Sequence, residues 1–281
     1  MTTLENTSEN KSTDQFASGN TSAGSALGDR LRSGDMPHPV DCYSSDLSGQ
    51  ALQGLDLSQG RFARADLSGA NLSGTNLSKA DLRGVDLRGT NLSDANLSGA
   101  CLYRADLSGA NLTGADLTET QLEIARYDSQ TVFPEGFGYR SCGAIGPNAN
   151  LSGVPLNTAN LRNADLQGAR MLGAYLTGAD LTGANLKGAR LTNADLRKAF
   201  LTGACLRNAG LNNANLEQVD LRAADLTGVE FDELEAIAGA DFSLVQGLSD
   251  RQRNYLLNQS DTVLDTWNSF TRQTTRDGLA Q

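Results

Sequence analysis

The side chains best suited to acid–base work are the aspartates, and they come at fixed spacing. Asp46, Asp66, Asp86 and Asp106 stand 20 residues apart. Paired carboxylates act as general acid and base when a pocket brings them together and pushes their pKa values apart. Each of these aspartates, however, precedes a leucine at a place where asparagine substitutes freely, as at Asn71, Asn76, Asn91 and Asn96. Both side chains suit hydrogen bonds to the local backbone at corners, so no catalytic role is expected for any of them. His38 is the only histidine and lies between two prolines, which excludes a multi-histidine metal site. Cys42, Cys101, Cys142 and Cys205 form no CxxC pair. A zinc or redox motif is not expected, and a reducing, cytoplasmic setting is the default. No catalytic residue, cofactor or metal is predicted.

The elements that must position these residues follow from the period of the text. From Val40, Leu or Phe recurs every fifth residue, from Leu47 to Leu122, and Cys42 begins the same series. Two positions earlier comes a small residue, as at Ala65, Ala70, Ala80, Ala95, Ala100, Ala105 and Ala110. The series breaks over 127–149, resumes at Leu151, and runs through Met171 to Leu226 and Phe231. Leu122 and Leu151 are 29 residues apart, so the interruption re-phases the repeat. Five is a multiple of neither 3.6 nor 2, which argues for a solenoid rather than one long helix or flat strand. If each pentapeptide forms one side of a square coil, four pentapeptides complete a turn. Each Leu and its small partner then face inward, and larger residues at the small position overpack the coil. Roughly 33 repeats give about eight coils, on the order of 40 Å of rod at strand spacing.

The A-[DN]-L-x-x pattern, written out at 65–74 as A-D-L-S-G-A-N-L-S-G, resembles the pentapeptide-repeat family. The resemblance covers 40–126 and 150–231. It implies an all-β solenoid, a right-handed quadrilateral β-helix, and it is specific for fold rather than for activity. The Y-D-S-Q-T-V-F-P-E-G-F interruption and the L-D-T-W-N-S-F-T-R tail are similar to cyanobacterial and chloroplast members in particular.

Outside the repeats, residues 1–39 are rich in Ser, Thr, Asn and Gly without hydrophobic periodicity, and read as a disordered tail. Residues 232–281 read as a short helical cap. Asp232 with Glu235 and Ser249 with Gln252 have capping-box spacing, and Leu256, Leu264, Trp267 and Phe270 are candidate cap or dimer contacts, which leaves homodimerisation through the cap open. No apolar run approaches the roughly 18 residues of a membrane helix, and the N-terminus has neither the basic nor the apolar region of a secretory signal.

The chain of 281 residues carries a net charge of -10 with 30 Gly, 1 Trp, 6 Tyr and 8 Phe. That balance argues against nucleic-acid binding through a basic surface. The charge is uneven: residues 40–126 have 7 basic and 11 acidic groups, whereas 150–231 have 8 and 7. Within the first block, Asp46, Asp66, Asp86 and Asp106 form an anionic ladder. It is read either as a docking stripe for a basic partner or as a solvated repeat position, with Arg64 and Arg104 placed to relieve its repulsion. In the interruption, Tyr127, Phe133, Phe137 and Tyr139 are read either as an exposed contact cluster or as a loop folded over the joint between registers. The function expected is protein–protein interaction or scaffolding with an unidentified protein partner. The family resemblance adds an alternative, imitation of DNA to protect gyrase from inhibitors, which the cationic second block disfavours.

Overall fold

The computed structural model describes residues 20–280, and the earlier part of the expected tail lies outside them. The repeat blocks form a coil in which every fourth pentapeptide pairs in parallel, giving four series. Asp41 pairs with Arg61, Asp46 with Asp66, Ala51 with Asn71 and Asp56 with Asn76, and each series continues coil by coil. These columns define the first to fourth sides of the N-terminal block. Every pairing is an isolated bridge, and no continuous strand forms among the described residues. The reason is local. Each side is too short for a ladder, because the chain turns a corner in every pentapeptide. At the corners one residue takes the left-handed conformation, most often a glycine such as Gly84 at φ 63° or a polar residue such as Arg64 at φ 61°. L-residues adopt that region reluctantly, which accounts for the abundance of Gly in the composition.

The interior is the expected column. The leucines of the five-residue series, from Leu47 to Leu122 and from Leu151 to Leu226, are buried, as are the alanines two positions before them except the partly buried Ala159. Thr75 and Thr90 occupy the small position although their hydroxyls are fully enclosed. Each resolves the conflict by donating to a carbonyl one coil back, Leu52 and Leu67 respectively, both at 2.8 Å. A buried hydroxyl is tolerated only with such a partner. Cys42 faces inward at the first coil, and burial, with a smaller contribution from Asp41, pushes its thiol up to about 11.

Three boundaries differ from the sequence reading. First, the tail expected to be disordered over 1–39 contains helix α1, Asn20–Ser33. Leu27 and Leu31, one helical turn apart, put one apolar stripe on the open end of the first coil, where Leu31 is buried. Arg32 caps that edge by donating to the Ala51 carbonyl at 3.0 Å. So short a stripe is invisible to a periodicity test, and it is stable only because the coil end also needs cover. Second, the coil does not stop at Phe231. A single extra residue is inserted, after which Asn215 pairs with Ala236, Asp220 with Asp241 and Asp225 with Gln246. Ile237 and Phe242 replace the inward leucines. Third, Asp232 and Glu235 start no helix, because this segment is used as a coil side. Phe231, expected inward, is half-buried and packs its ring against Tyr255 at 5.8 Å.

The C-terminal cap is helical, as expected. Helix α2 is Asp250–Leu257, and its Ser249–Gln252 capping box is formed. Helices α3, Asp261–Leu264, and α4, Thr275–Leu279, complete it. Leu256, Leu264 and Leu279 are buried under it, so the last coil does not expose its leucines.

Candidate functional site

The aspartate ladder exists as spaced. Asp46, Asp66, Asp86 and Asp106 are paired one with the next on the second side of the coil. Each carboxylate accepts a hydrogen bond from the backbone N–H two positions on, from Ser48, Ser68, Arg88 and Ser108 at 2.9–3.0 Å. That bond holds the side chains upright in a row. The relief of repulsion differs from expectation. Neither Arg64 nor Arg104 reaches the ladder within ion-pair distance. Arg88 does, gripping Asp86 through Nε and Nη2 at 2.5–2.9 Å. Two positions past the aspartate, the side chain stands at the start of the next corner and reaches back to the carboxylate. Two positions before it, the chain is still rounding the corner. Burial opposes ionisation of Asp86 most strongly, and the Arg88 bonds overcome it and hold the carboxyl below its usual range. Asp46, bonded to Ser48, is lowered as well.

The four aromatics of the interruption come together, but as a plug. Tyr127 is 4% exposed, and its hydroxyl donates to the Pro147 carbonyl at 2.9 Å. Phe133 and Tyr139 stack at 4.8 Å, Phe137 stacks on Phe133 at 5.8 Å, and Tyr127 meets Phe133 and Tyr139 edge-on. An exposed contact cluster is thereby corrected for Tyr127, which has no free face to offer. Phe133, Phe137 and Tyr139 are half-buried against the same core. The plug covers a shift in register. Asn111 pairs with Val132, a single position beyond a regular turn, and Arg126 with Ile145, a single position short of one, before regular spacing returns at Asn150.

Of the cap residues, Leu256 and Leu264 are core, whereas Trp267 and Phe270 are 56% and 53% exposed. They flank Asn268, which is fully buried and donates to the carbonyls of Val219 and Gly239. Phe270 meets Phe200 edge-on at 5.3 Å.

Sequence reasoning missed one feature. Tyr43, Tyr103, Arg64, Arg83 and Arg104 surround a shallow recess of about 390 Å³ at the corner between the first and second sides. A groove of about 500 Å³, lined in part by Tyr103, Arg104 and Arg126, continues it to the joint. The signal was available in the regular spacing of positions 43, 63, 83 and 103, had it been applied to corners as well as sides. Among the described residues, no cluster of His, Cys, Asp and Glu could hold a metal ion, and no helix is long and apolar enough to cross a membrane.

The profile of the pentapeptide repeats family matches in 8 copies, spread over 41–123 and 148–233. The chain belongs to the pentapeptide-repeat family. Among solved pentapeptide-repeat structures, it is similar to HetL from Nostoc sp. strain PCC 7120, a protein involved in heterocyst differentiation regulation. The identity is 31% over 79% of this chain and 95% of that one, with a TM-score of 0.31. Rfr23 from the cyanobacterium Cyanothece 51142 is 44% identical over 35% of this chain and 67% of that one, with a TM-score of 0.34. QnrB1, a plasmid-mediated fluoroquinolone resistance protein, is 20% identical over 78% of this pentapeptide-repeat chain and 95% of its own, with a TM-score of 0.31. No curated protein matches the chain.

Proposed function

We propose that this pentapeptide-repeat protein is a non-enzymatic interaction rod, a right-handed four-sided β-helix that presents fixed rows of side chains to a protein partner in the cytoplasm. The observation that carries this reading is the aspartate ladder. Four carboxylates are repeated at coil spacing on one side and held upright by backbone bonds rather than by one another. A row that is rigid before binding costs little entropy to engage, and its charge favours a basic partner segment. The solid Leu and Ala interior and the shallow surface recesses support binding along a side rather than chemistry in an enclosed site.

DNA imitation to protect gyrase is the second reading, and the overall charge of -10 favours it. Against it, the second block has a one-charge cationic excess, and Arg170 pairs with Arg190 where the first block carries aspartates. A DNA mimic needs one sign along most of its length.

The test is a pull-down with the full chain and with a variant in which Asp46, Asp66, Asp86 and Asp106 are changed to Lys. Loss of at least one specifically retained protein is expected. An unchanged retained set overturns the ladder as the contact. In parallel, purified gyrase is titrated with inhibitor at micromolar concentrations of this protein. An unchanged dose response removes the mimic reading, and a shifted one puts it first.

A further inference from the structure

We propose that the recess at the corner between the first and second sides is a docking site for an acidic segment of a partner protein. This deepens the interaction reading above and rests on it.

The recess is built by alternation of small and large residues. Ala63 and Gly84 form its floor, and Tyr43 and Tyr103 close its ends, three coils apart. The rim is three arginines, Arg64, Arg83 and Arg104, and no acidic residue lines it. The Arg64 stem lies across Gly84, where an added Cβ would meet it at 4.0 Å. Arg104 sits over the Tyr103 ring at 5.2 Å, and Arg61 over the Tyr43 ring at 4.8 Å. The ion pairs of this block among the described residues are Arg61–Asp41, Arg83–Asp81 and Arg88–Asp86. Arg64 and Arg104 therefore carry uncommitted guanidinium groups. Four of the 7 cations in residues 40–126 (Arg64, Arg83, Arg104 and Arg126) line this corner or the groove that continues it, which Asp106 also lines. The recess is thus a local cationic patch within a block of anionic excess.

The geometry selects the partner. Guanidinium forks match carboxylates in two-point contacts, and tyrosine faces add rigid contact area at low entropic cost. Arg64 and Arg104 are two coils apart, about 10 Å at strand spacing. In an extended peptide lying along the coil axis, carboxylates on one face stand two or four residues apart, about 7 or about 14 Å, and the long arginine stems bridge the difference. The aspartate ladder runs on the adjoining side, with Asp66 and Asp106 two positions from the two free arginines. It repels a long polyanion but leaves room for a short acidic segment confined to the corner.

The test is fluorescence anisotropy of labelled hexaglutamate with the full chain, compared with the R64G/R104G variant. Both arginines sit in the left-handed region, at φ 61°, where glycine is the favoured residue. The variant is therefore expected to keep its melting temperature while losing affinity about tenfold. R64Q/R104Q, which keeps most of each stem, is expected to behave alike, and R170Q/R190Q to bind as the parent does. Binding is expected to weaken as salt rises. The proposal is overturned if hexaglutamate fails to bind, binds both glutamine variants equally, or binds less tightly than hexalysine or a single-stranded oligonucleotide. If the probe fails while the pull-down still depends on the aspartate ladder, the recess falls and the interaction rod stands.

Discussion

Arg88 and Asp86 form the one ion pair on the ladder among the described residues, a two-nitrogen grip at 2.5–2.9 Å. The carboxylates of Asp66 and Asp106 stand one coil to either side of it. Arg88→Gln leaves four like charges, Asp46, Asp66, Asp86 and Asp106, in sequence along the coil. The expected cost is up to about 1 kcal/mol at low salt, as for exposed pairs generally, and screening removes most of it at about 1 M salt. Thermal melts of parent and variant at both salt levels measure this. An equal difference at both ionic strengths would show that the arginine acts through packing instead.

Acid should loosen the rod through its hydrogen-bonded aspartates. Hydrogen bonds from Arg197, against the opposing effect of burial, hold Asp195 down at about 2, and Arg83 lowers Asp81 in the same way. Asp225 is lowered by Thr227 first and Arg207 after it, and in Asp180 the Thr182 and Arg162 bonds overcome the larger opposing effect of burial. A depressed carboxyl contributes stability that is complete above its unfolded value of about 3.9 and is lost as pH falls through the folded one. The melting temperature is therefore expected to decline between about pH 4 and about pH 2, and Arg197→Gln should make that decline shallower. A parent whose melting temperature holds down to about pH 2 contradicts this.

The inward and outward assignment is tested by neighbours. Leu92 is fully buried and Ser93 half-buried at the surface. Leu92→Lys places a charge in a column without water and should cost on the order of 4 kcal/mol or more. Ser93→Lys should stay within about 0.5 kcal/mol of the parent. Circular dichroism melts that move together for the two variants would sink the assignment.

At the joint, Tyr127→Phe removes one hydroxyl bond to Pro147 and should cost about 1 kcal/mol. Tyr127→Ala empties the plug and should cost about 3–5 kcal/mol. Hydrogen exchange should show the loss concentrated over 127–149. Protection lost evenly along both blocks would mean that the plug does not hold the joint by itself.

Trp267 pairs antiparallel with Thr274 to form a short C-terminal hairpin, and Asn268 ties it to the coil through two carbonyls. Asn268→Ala leaves those carbonyls without their partner and should cost about 1–3 kcal/mol. The hairpin carrying Trp267 and Phe270 should then exchange its amides faster while Leu-lined coils such as 176–226 stay protected. Faster exchange in those coils would place Asn268 in the global core instead.

Much of the fold was legible because a five-residue period has few physical solutions. Leu47 and Ala65 face inward for reasons of spacing alone, and Asp66 stands beside Asp86 because four pentapeptides close one turn. Ser249 with Gln252 announced α2 through chemistry that is complete within a single helical turn. Asp232 with Glu235 has the same spacing and starts no helix, because the coil uses that segment first. The ladder was legible to the same depth. Its neutralising partner was not, since Arg64 and Arg88 are both two positions from an aspartate, and only the direction of the corner decides which of them reaches it.

The sequence by itself therefore determined the repeat, its inward column and the anionic row, all of which depend on distance along the chain. The tertiary structure decided what depends on surfaces brought together from far apart. Examples are α1 closing the first coil, the aromatics sealing the shifted joint, the further coil sides beyond Phe231, and the arginines that gather with Tyr43 and Tyr103 at one corner. Each of these exists because stacking leaves an open end, a mismatch or a corner to be covered, and no local pattern records that need.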